Sequence, residues 1–282
     1  MTPEAAFTWC ADEARRLDHD RYLCALFAPA SARPALLTLA ALDVTLARIA
    51  DAVSEPMLGR IRLEWWREAV AAIDDPPPDH PIVVALASAR RRHGLPAALL
   101  ARLIEARGAD LAADPPPDLA ALEDRAEATA GTLTALQLTA LGADDDEDSV
   151  VAGRHVGVAW AITGIVRATP FLAAAGRVAL PRDRLAAAGL APEDVTGGAG
   201  RRALASVVRE TAELAWDRLA AARALGPRIA AGALPVLLPA ALADLYLGRL
   251  RRAGYDPWAC TAPIAGPRRQ LRLLAKVVRG RF

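Results

Sequence analysis

The sequence predicts a single all-α domain, a helical bundle, and three observations carry that prediction. Alanine, leucine and arginine, all strong helix formers, recur throughout a chain that is 54% apolar and only 5% aromatic. No segment alternates polar and apolar residues as a half-buried strand does. Breaks at Pro76 to Pro78, Pro115 to Pro117, Gly142 to Asp148, Pro181, Gly197 to Gly200, Gly226-Pro227 and Gly254 to Pro257 divide the chain. They leave about ten helices joined by short connections, none of them long enough to be an interdomain linker. At 282 residues one domain, spanning 1–282, buries roughly three quarters of its unfolded surface and needs no disulfide or metal staple.

In chain order, the first helix to stand out is Pro34 to Val53, mostly apolar, with Asp43, Arg48 and Asp51 embedded in it. Pro96 suits a first turn and opens a helix with Leu99, Leu100, Leu103, Ile104 and Leu111 on one face. Ser149 to Ala175 is apolar nearly all round, with Arg154, His155 and Arg167 as its charges, and such a helix belongs in the middle of a bundle. Leu204, Val207, Val208, Thr211, Leu214, Leu219 and Ala222 form the apolar face of a helix whose other side carries Arg209, Glu210, Glu213 and Asp217. The most apolar stretch, Ile229 to Leu247, is interrupted by Gly232, Pro235, Pro239 and Asp244, whereas a bilayer span wants about 20 uninterrupted apolar residues. It reads as a buried, kinked helix. Last, Arg268 to Arg281 surrounds Leu271, Leu273, Leu274, Val277 and Val278 with six basic residues, a basic amphipathic helix. A solvated basic face is the first reading of it, and contact with a membrane surface or an acidic partner the second.

Charged groups on central helices must be paired or must face a cavity, because burying an unpaired charge is costly. The two central helices, Pro34 to Val53 and Ser149 to Ala175, are therefore expected side by side with a polar pocket between them. Elsewhere, 34 basic residues are interleaved with 33 acidic ones, which excludes the concentrated positive surface of a nucleic-acid binder. Three scattered cysteines without a C-x-x-C pair fit a reducing compartment and no structural zinc. The acidic first twenty residues lack the pattern of a secretory signal, so the expected location is cytoplasmic. His19, His80 and His93 show no metal-ligand spacing, and His155 reads as a hydrogen-bonded core histidine, so no catalytic or metal-binding residue is assigned. Asp144, Asp145 and Asp148 spell D-D-x-x-D, but their place before a long helix reads as capping. Arg62, Trp65, Trp66 and Arg67 form a candidate partner surface, against the plainer reading that one ring is in the core.

Several strings carry a family resemblance. Arg21-Tyr22-Leu23-Cys24-Ala25-Leu26-Phe27-Ala28-Pro29, Ala130-Gly131-Thr132-Leu133, Val156 to Arg167 and Gly176-Arg177-Val178-Ala179-Leu180-Pro181 resemble motifs of the squalene and phytoene synthases, most strongly over residues 20–250. The resemblance implies an isoprenoid-synthase-type helical bundle. Enzymes of that family hold Mg²⁺ and a prenyl diphosphate between two aspartate-rich helical motifs, because Mg²⁺ requires oxygen ligands and bridges carboxylates to the leaving group. In register, the first motif, D-D-x-x-D, falls on Ala47-Arg48-Ile49-Ala50-Asp51 and keeps one acid. The second, R-D-x-x-x-D, falls on Arg167-Ala168-Thr169-Pro170-Phe171-Leu172 and keeps none, while the family's Gln and Asn upstream are Ala161 and Gly164.

What stands in place of the aspartates has its own likeness. Asp51-Ala52-Val53-Ser54-Glu55, Gly59 to Arg67 and Val166-Arg167-Ala168-Thr169-Pro170-Phe171 resemble the squalene/phytoene-synthase-like proteins that assist assembly of respiratory complex I. That resemblance implies a non-catalytic protein without a cofactor, whose partner is a complex I subunit or assembly intermediate at the inner membrane, reached through the basic C-terminal helix. Asp43, Arg48, Asp51, Arg167 and Thr169 are then the remnant of the substrate cavity. Arg167 is expected to face that cavity and pair with an acid such as Asp51, and Arg48 to pair with Asp51 at i,i+3. Two alternatives remain open: a divergent Mg²⁺-dependent prenyl-diphosphate transferase using Asp43 and Asp51, and a binder of an isoprenoid lipid.

Overall fold

The computed structural model describes residues 1–53, 55–75, 78–112, 114–197 and 200–282, and among these it contains helices and turns but no strand. Thr2 caps α1 (Pro3–Leu17), and Asp18 caps α2 (His19–Ala25) by accepting from the Arg21 amide. Prolines occupy the first turns of α3 (Arg33–Ala47), α4 (Pro56–Ala71) and α5 (Pro81–His93), where no amide donor is needed. α6 (Ala97–Ala106) runs on into a 3₁₀ turn over Arg107–Leu111. α7 (Leu119–Ala126) continues through a π-helical turn at Glu127–Gly131 into α8 (Thr132–Leu141), which Gly142 ends with φ +64°.

α9 (Glu147–Ala174) is the longest helix, capped by Asp146, which accepts from the Ser149 amide and from the Ala230 amide, both at 3.1 Å. Asp148 is paired with Arg228, so the acidic run is a helix start tied to a later loop, as its position predicts. α10 (Arg182–Ala187) and α11 (Pro192–Thr196) are short; α12 (Arg201–Ala224) buries Leu204, Val207, Val208, Thr211, Leu219 and Ala222. Across the apolar stretch from Ile229, the chain passes from a 3₁₀ turn into α13 (Leu234–Leu237) and α14 (Pro239–Arg252), with Pro235 and Pro239 each in a first turn. The expected kink is thus made by these prolines. α15 (Gly266–Val278) completes the chain. The expected breaks at Pro76 to Pro78 and Gly197 to Gly200 fall partly outside the described residues, and so does Ser54.

One expected boundary is wrong. The helix predicted from Pro34 to Val53 stops at Ala47, and residues 48–52 turn. The Asp51 and Ala52 amides bond back to the Arg48 carbonyl oxygen in tight turns, and Pro56 holds Glu55 extended (φ −122°, ψ 132°), so the chain is already out of the helix when it reaches α4.

α9 packs on α12, α14, α8 and the π turn, whereas α3 packs on α1, α5 and α8. The contact with the π turn explains Gly157, since a Cβ there would lie 2.7 Å from the Ala130 carbonyl oxygen. α3 and α9 face each other across a cavity, the pocket expected between them. Two helical stretches among the described residues, Glu147–Ala174 and Ala231–Arg252, are long and apolar enough to cross a membrane, but 56% and 67% of an apolar 18-residue segment in each is buried inside the bundle.

Candidate functional site

The cavity between α3 and α9 has a volume of about 380 Å³, within the range of small-molecule pockets. Its apolar wall is built by Val44 and Ala47 of α3, by Trp160, Ala161, Gly164, Ile165, Ala168 and Leu172 of α9, and by Ala126 and Ala130 beside the π turn. Of the positions singled out by register, 47, 51, 161, 164, 168 and 172 are on this wall, whereas Arg48 and Arg167 are not. The spacing of the motifs is therefore preserved and their chemistry is not. Ala47, Ala168 and Leu172 offer no oxygen to a cation.

Arginines and aspartates alternate around the polar side. Asp43, buried on α3, accepts from Arg21 Nη1 at 3.1 Å and from Arg107 Nη2. Arg21 also donates to Asp18 at 2.7 Å, Arg107 to Asp110 at 3.1 Å, and Arg125 to Asp110 at 2.7 Å. Arg177 bridges Asp51 and the Asp110 carbonyl oxygen. Burial alone would raise the Asp43 pKa, but the nearby Arg107 and Arg21 charges and their hydrogen bonds outweigh it and hold the carboxyl below its ordinary value. Four guanidiniums, Arg21, Arg107, Arg125 and Arg177, thus occupy the carboxylates of Asp18, Asp43, Asp51 and Asp110. Such a donor set does not fit a cluster of Mg²⁺ ions, whose ligands are free carboxylate oxygens and water.

Three expected cavity residues lie elsewhere. Arg167 is one residue off the cavity-facing stripe of α9; its guanidinium stacks 3.4 Å from the centre of the Tyr246 ring and lies 3.9 Å from Asp20, not near Asp51. Thr169 is buried, with its Oγ1 donating to the Ile165 carbonyl oxygen at 3.2 Å. Arg48 is exposed and on the far side of its turn, so the local pair with Asp51 does not form. His155, expected to be hydrogen-bonded in the core, is half-buried with no ring hydrogen bond among the described residues. Arg21 and Arg177 stand in the strings that carry the family resemblance, but Arg107, Asp110 and Arg125 belong to no motif and are found only in space.

A second concavity, about 440 Å³, opens between α1 and α4 over the end of α3. Trp66 is buried there, Trp65 is exposed, and their rings are edge-on at 5.0 Å, so one tryptophan is core and the other surface. His80 packs on both, at 5.0 and 5.4 Å, and on Trp9 at 6.4 Å. Arg62 lines this groove. Arg67 does not: five positions along, it lies about 140° around the helix, paired with Glu64.

α15 follows its pattern only in part: Leu273 is buried with Val277 packed beside it, and Arg268, Arg279 and Arg281 are exposed, but two other arginines turn inward. Arg269 donates to Asp20 at 2.6 Å and Arg272 to Asp244 at 3.1 Å, so these basic residues face inward. Tyr246 shares Asp20 at 2.6 Å, and its hydroxyl pKa is pushed up to about 12, chiefly by burial. Leu271, Leu274 and Val278 face outward, 66%, 50% and 77% exposed.

A family model described as squalene/phytoene synthase matches residues 14–275. Over 249 residues the chain is 33% identical to a protein of Bos taurus named NADH dehydrogenase (ubiquinone) complex I, assembly factor 6, covering 88% of this chain and 74% of that one. Among solved structures, a dehydrosqualene synthase in complex with ligand superposes with a TM-score of 0.82 at 17% identity, covering 98% and 96% of the two chains. Squalene synthase HpnC from Alicyclobacillus acidocaldarius does so with 0.78 at 20% identity, covering 90% and 96%. These two likenesses show the isoprenoid-synthase fold.

Proposed function

The chain belongs to the squalene/phytoene synthase family, and from that premise we propose that it is a member without prenyl-transfer chemistry that assists assembly of NADH:ubiquinone oxidoreductase, respiratory complex I. The observation that carries this reading is the cavity wall, where Ala47, Ala168 and Leu172 stand at the motif positions and Asp43 and Asp51 are held by arginines. A diphosphate ionises when metal ions held by carboxylates take up its developing charge; this wall lacks the motif carboxylates, and of the acids beside it only the exposed Asp114 is in no ion pair among the described residues. The similarity to the Bos taurus assembly factor, which runs over most of both chains, supports the choice of complex I.

In this reading the protein needs no cofactor, its partner is a complex I subunit or assembly intermediate, and it works in the cytoplasm at the inner membrane surface. The outward stripe Leu271, Leu274 and Val278, bordered by Arg268, Arg279 and Arg281, suits contact with an anionic bilayer. The retained apolar cavity supports a second reading, binding of an isoprenoid lipid without chemistry.

Deletion in the native organism tests the first reading. Membranes are expected to lose NADH:ubiquinone oxidoreductase activity while squalene, hopanoid and carotenoid levels stay unchanged; normal activity, or rescue by an unrelated active squalene synthase, overturns it. Purified protein given Mg²⁺ and farnesyl diphosphate is expected to yield no product, and product formation abolished by Asp51→Ala would establish the transferase instead. Lipid extracted from the native protein decides the second reading: absence of any isoprenoid, together with no binding on addition, rejects it.

A further inference from the structure

Most of the arginines around the central cavity are spent on aspartates, but those of the second groove are not. Arg16 is held by Glu13, whereas Arg48 and Arg62 are in no ion pair among the described residues. The one acid that lines the groove, Glu13, is the one held by Arg16. Its floor is apolar and aromatic, from Leu17, Ile49, Trp66 and His80. The surface beside it is apolar as well: Leu58, Ile61 and Trp65 are exposed at i, i+3 and i+7 along the flank of α4 that borders the groove. Trp9, also exposed, closes the α1 side against His80. An exposed run of large apolar side chains ending on uncompensated guanidiniums marks a surface that another molecule covers.

We propose that this groove receives an acidic amphipathic helix of a partner polypeptide, its apolar face on Leu58, Ile61 and Trp65 and its carboxylates on Arg48 and Arg62. The proposal rests on the binding-protein reading above and adds the chemistry of the segment bound. Three arguments select this occupant. The charge complement of Arg48 and Arg62 is acidic. The distance from Leu58 to Trp65 along α4 is roughly 10 Å, about two turns of a partner helix lying alongside. A bilayer surface is convex or flat and meets the outward stripe of α15, whereas this site is concave, between two helices.

The test uses the full-length protein and two arrays of synthetic peptides of about three helical turns: one tiled from the organism's own NADH:ubiquinone oxidoreductase subunits, one of designed acidic amphipathic helices with lysine-substituted counterparts. Acidic amphipathic peptides are expected to bind in both arrays, with the lysine counterparts failing. Binding is expected to weaken about tenfold in the Arg48→Glu, Arg62→Glu double variant, a loss typical of removed charge pairs, and in Trp65→Ala. Arg67→Glu, on the opposite flank, is expected to bind as wild type. Because Arg48 and Arg62 are exposed and unpaired, circular dichroism and the melting temperature should be unchanged in the double variant. Binding that survives the double variant, equal binding of the lysine counterparts, or no peptide binding while anionic phosphatidylglycerol vesicles bind through these residues, each overturns the proposal. Binding of designed but not of subunit peptides keeps the groove and counts against the complex I reading; a deletion strain lacking complex I activity with no peptide bound does the reverse.

Discussion

Asp43 is the residue on which the polar side of the cavity turns. It is buried and shared by two guanidiniums that are themselves mostly covered, so removing its charge strands Arg21 and Arg107 in a low-dielectric site. Asp43→Asn keeps the shape and is expected to destabilise the fold by about 3–5 kcal/mol, read from urea unfolding. The pH dependence has a definite sign. Its folded pKa lies below the ordinary value of 3.8, so its contribution is complete above that value and is lost as pH falls through the lowered one. The difference between wild type and Asn variant should therefore be constant near neutrality and shrink below about pH 4; a difference that grows on acidification contradicts the assignment. Gly157 is constrained by backbone: a methyl group would meet the Ala130 carbonyl oxygen at 2.7 Å. Gly157→Ala is expected to lose about 1–3 kcal/mol, the range for overpacked sites, despite its better helix propensity.

Among the elements, α9 and the π turn account for the sequence motif Ala130-Gly131-Thr132. The wide turn holds the backbone against Gly157 and brings Thr129 and Ala130 to the cavity wall. α15 is held by Leu273 in the core and by two inward arginines on buried or half-buried aspartates, leaving Leu271, Leu274 and Val278 to solvent. Replacing Leu271, Leu274 and Val278 together by serine is expected to leave the melting temperature unchanged, since these side chains contact little of the fold. The same change should abolish cosedimentation with anionic vesicles, and wild-type binding should weaken as salt rises. Undiminished cosedimentation of the triple variant would remove α15 from the membrane-contact reading.

For the whole molecule, three histidines set the acid side of the stability profile. Burial lowers the pKa of His80, His93 and His155 below 6.5, with neighbouring arginine charge adding to the effect at His93 and His155. The unfolded chain then binds more protons than the folded one once pH drops below that value, so stability falls from about pH 6.5 through the lowered folded values. Differential scanning calorimetry between neutral and mildly acidic pH checks this, and a melting temperature that rises on acidification would reject it. With Asp18, Asp43, Asp51 and Asp110 occupied by arginines, Mg²⁺ is expected to leave the melting temperature unchanged, because a ligand stabilises only through preferential binding to the native state. A clear, saturable Mg²⁺-dependent rise would restore the metal-dependent reading.

The all-helical class, the start of α3 at Pro34, the capping role of the acidic run before α9 and the apolar face of α12 were legible from local spacing, because propensity, capping and helical periodicity act within one or two turns. The same periodicity carried the motif register correctly onto the cavity, at Ala47, Asp51, Ala168 and Leu172. Partner choice was not legible. Arg107 meets Asp43 from 64 residues away, Arg177 meets Asp51 from 126 and Arg269 meets Asp20 from 249, and no short-range pattern records such distances. The nearby alternative, Arg48 with Asp51, fails because α3 ends at Ala47, before the helix that would have aligned them. An amphipathic pattern likewise gives α15 two faces without saying which residues of each turn inward; Leu273 and Val277 pack on the core, Asp20 and Asp244, placed by α2 and α14, draw in Arg269 and Arg272 beside them, and Leu271, Leu274 and Val278 are left outside.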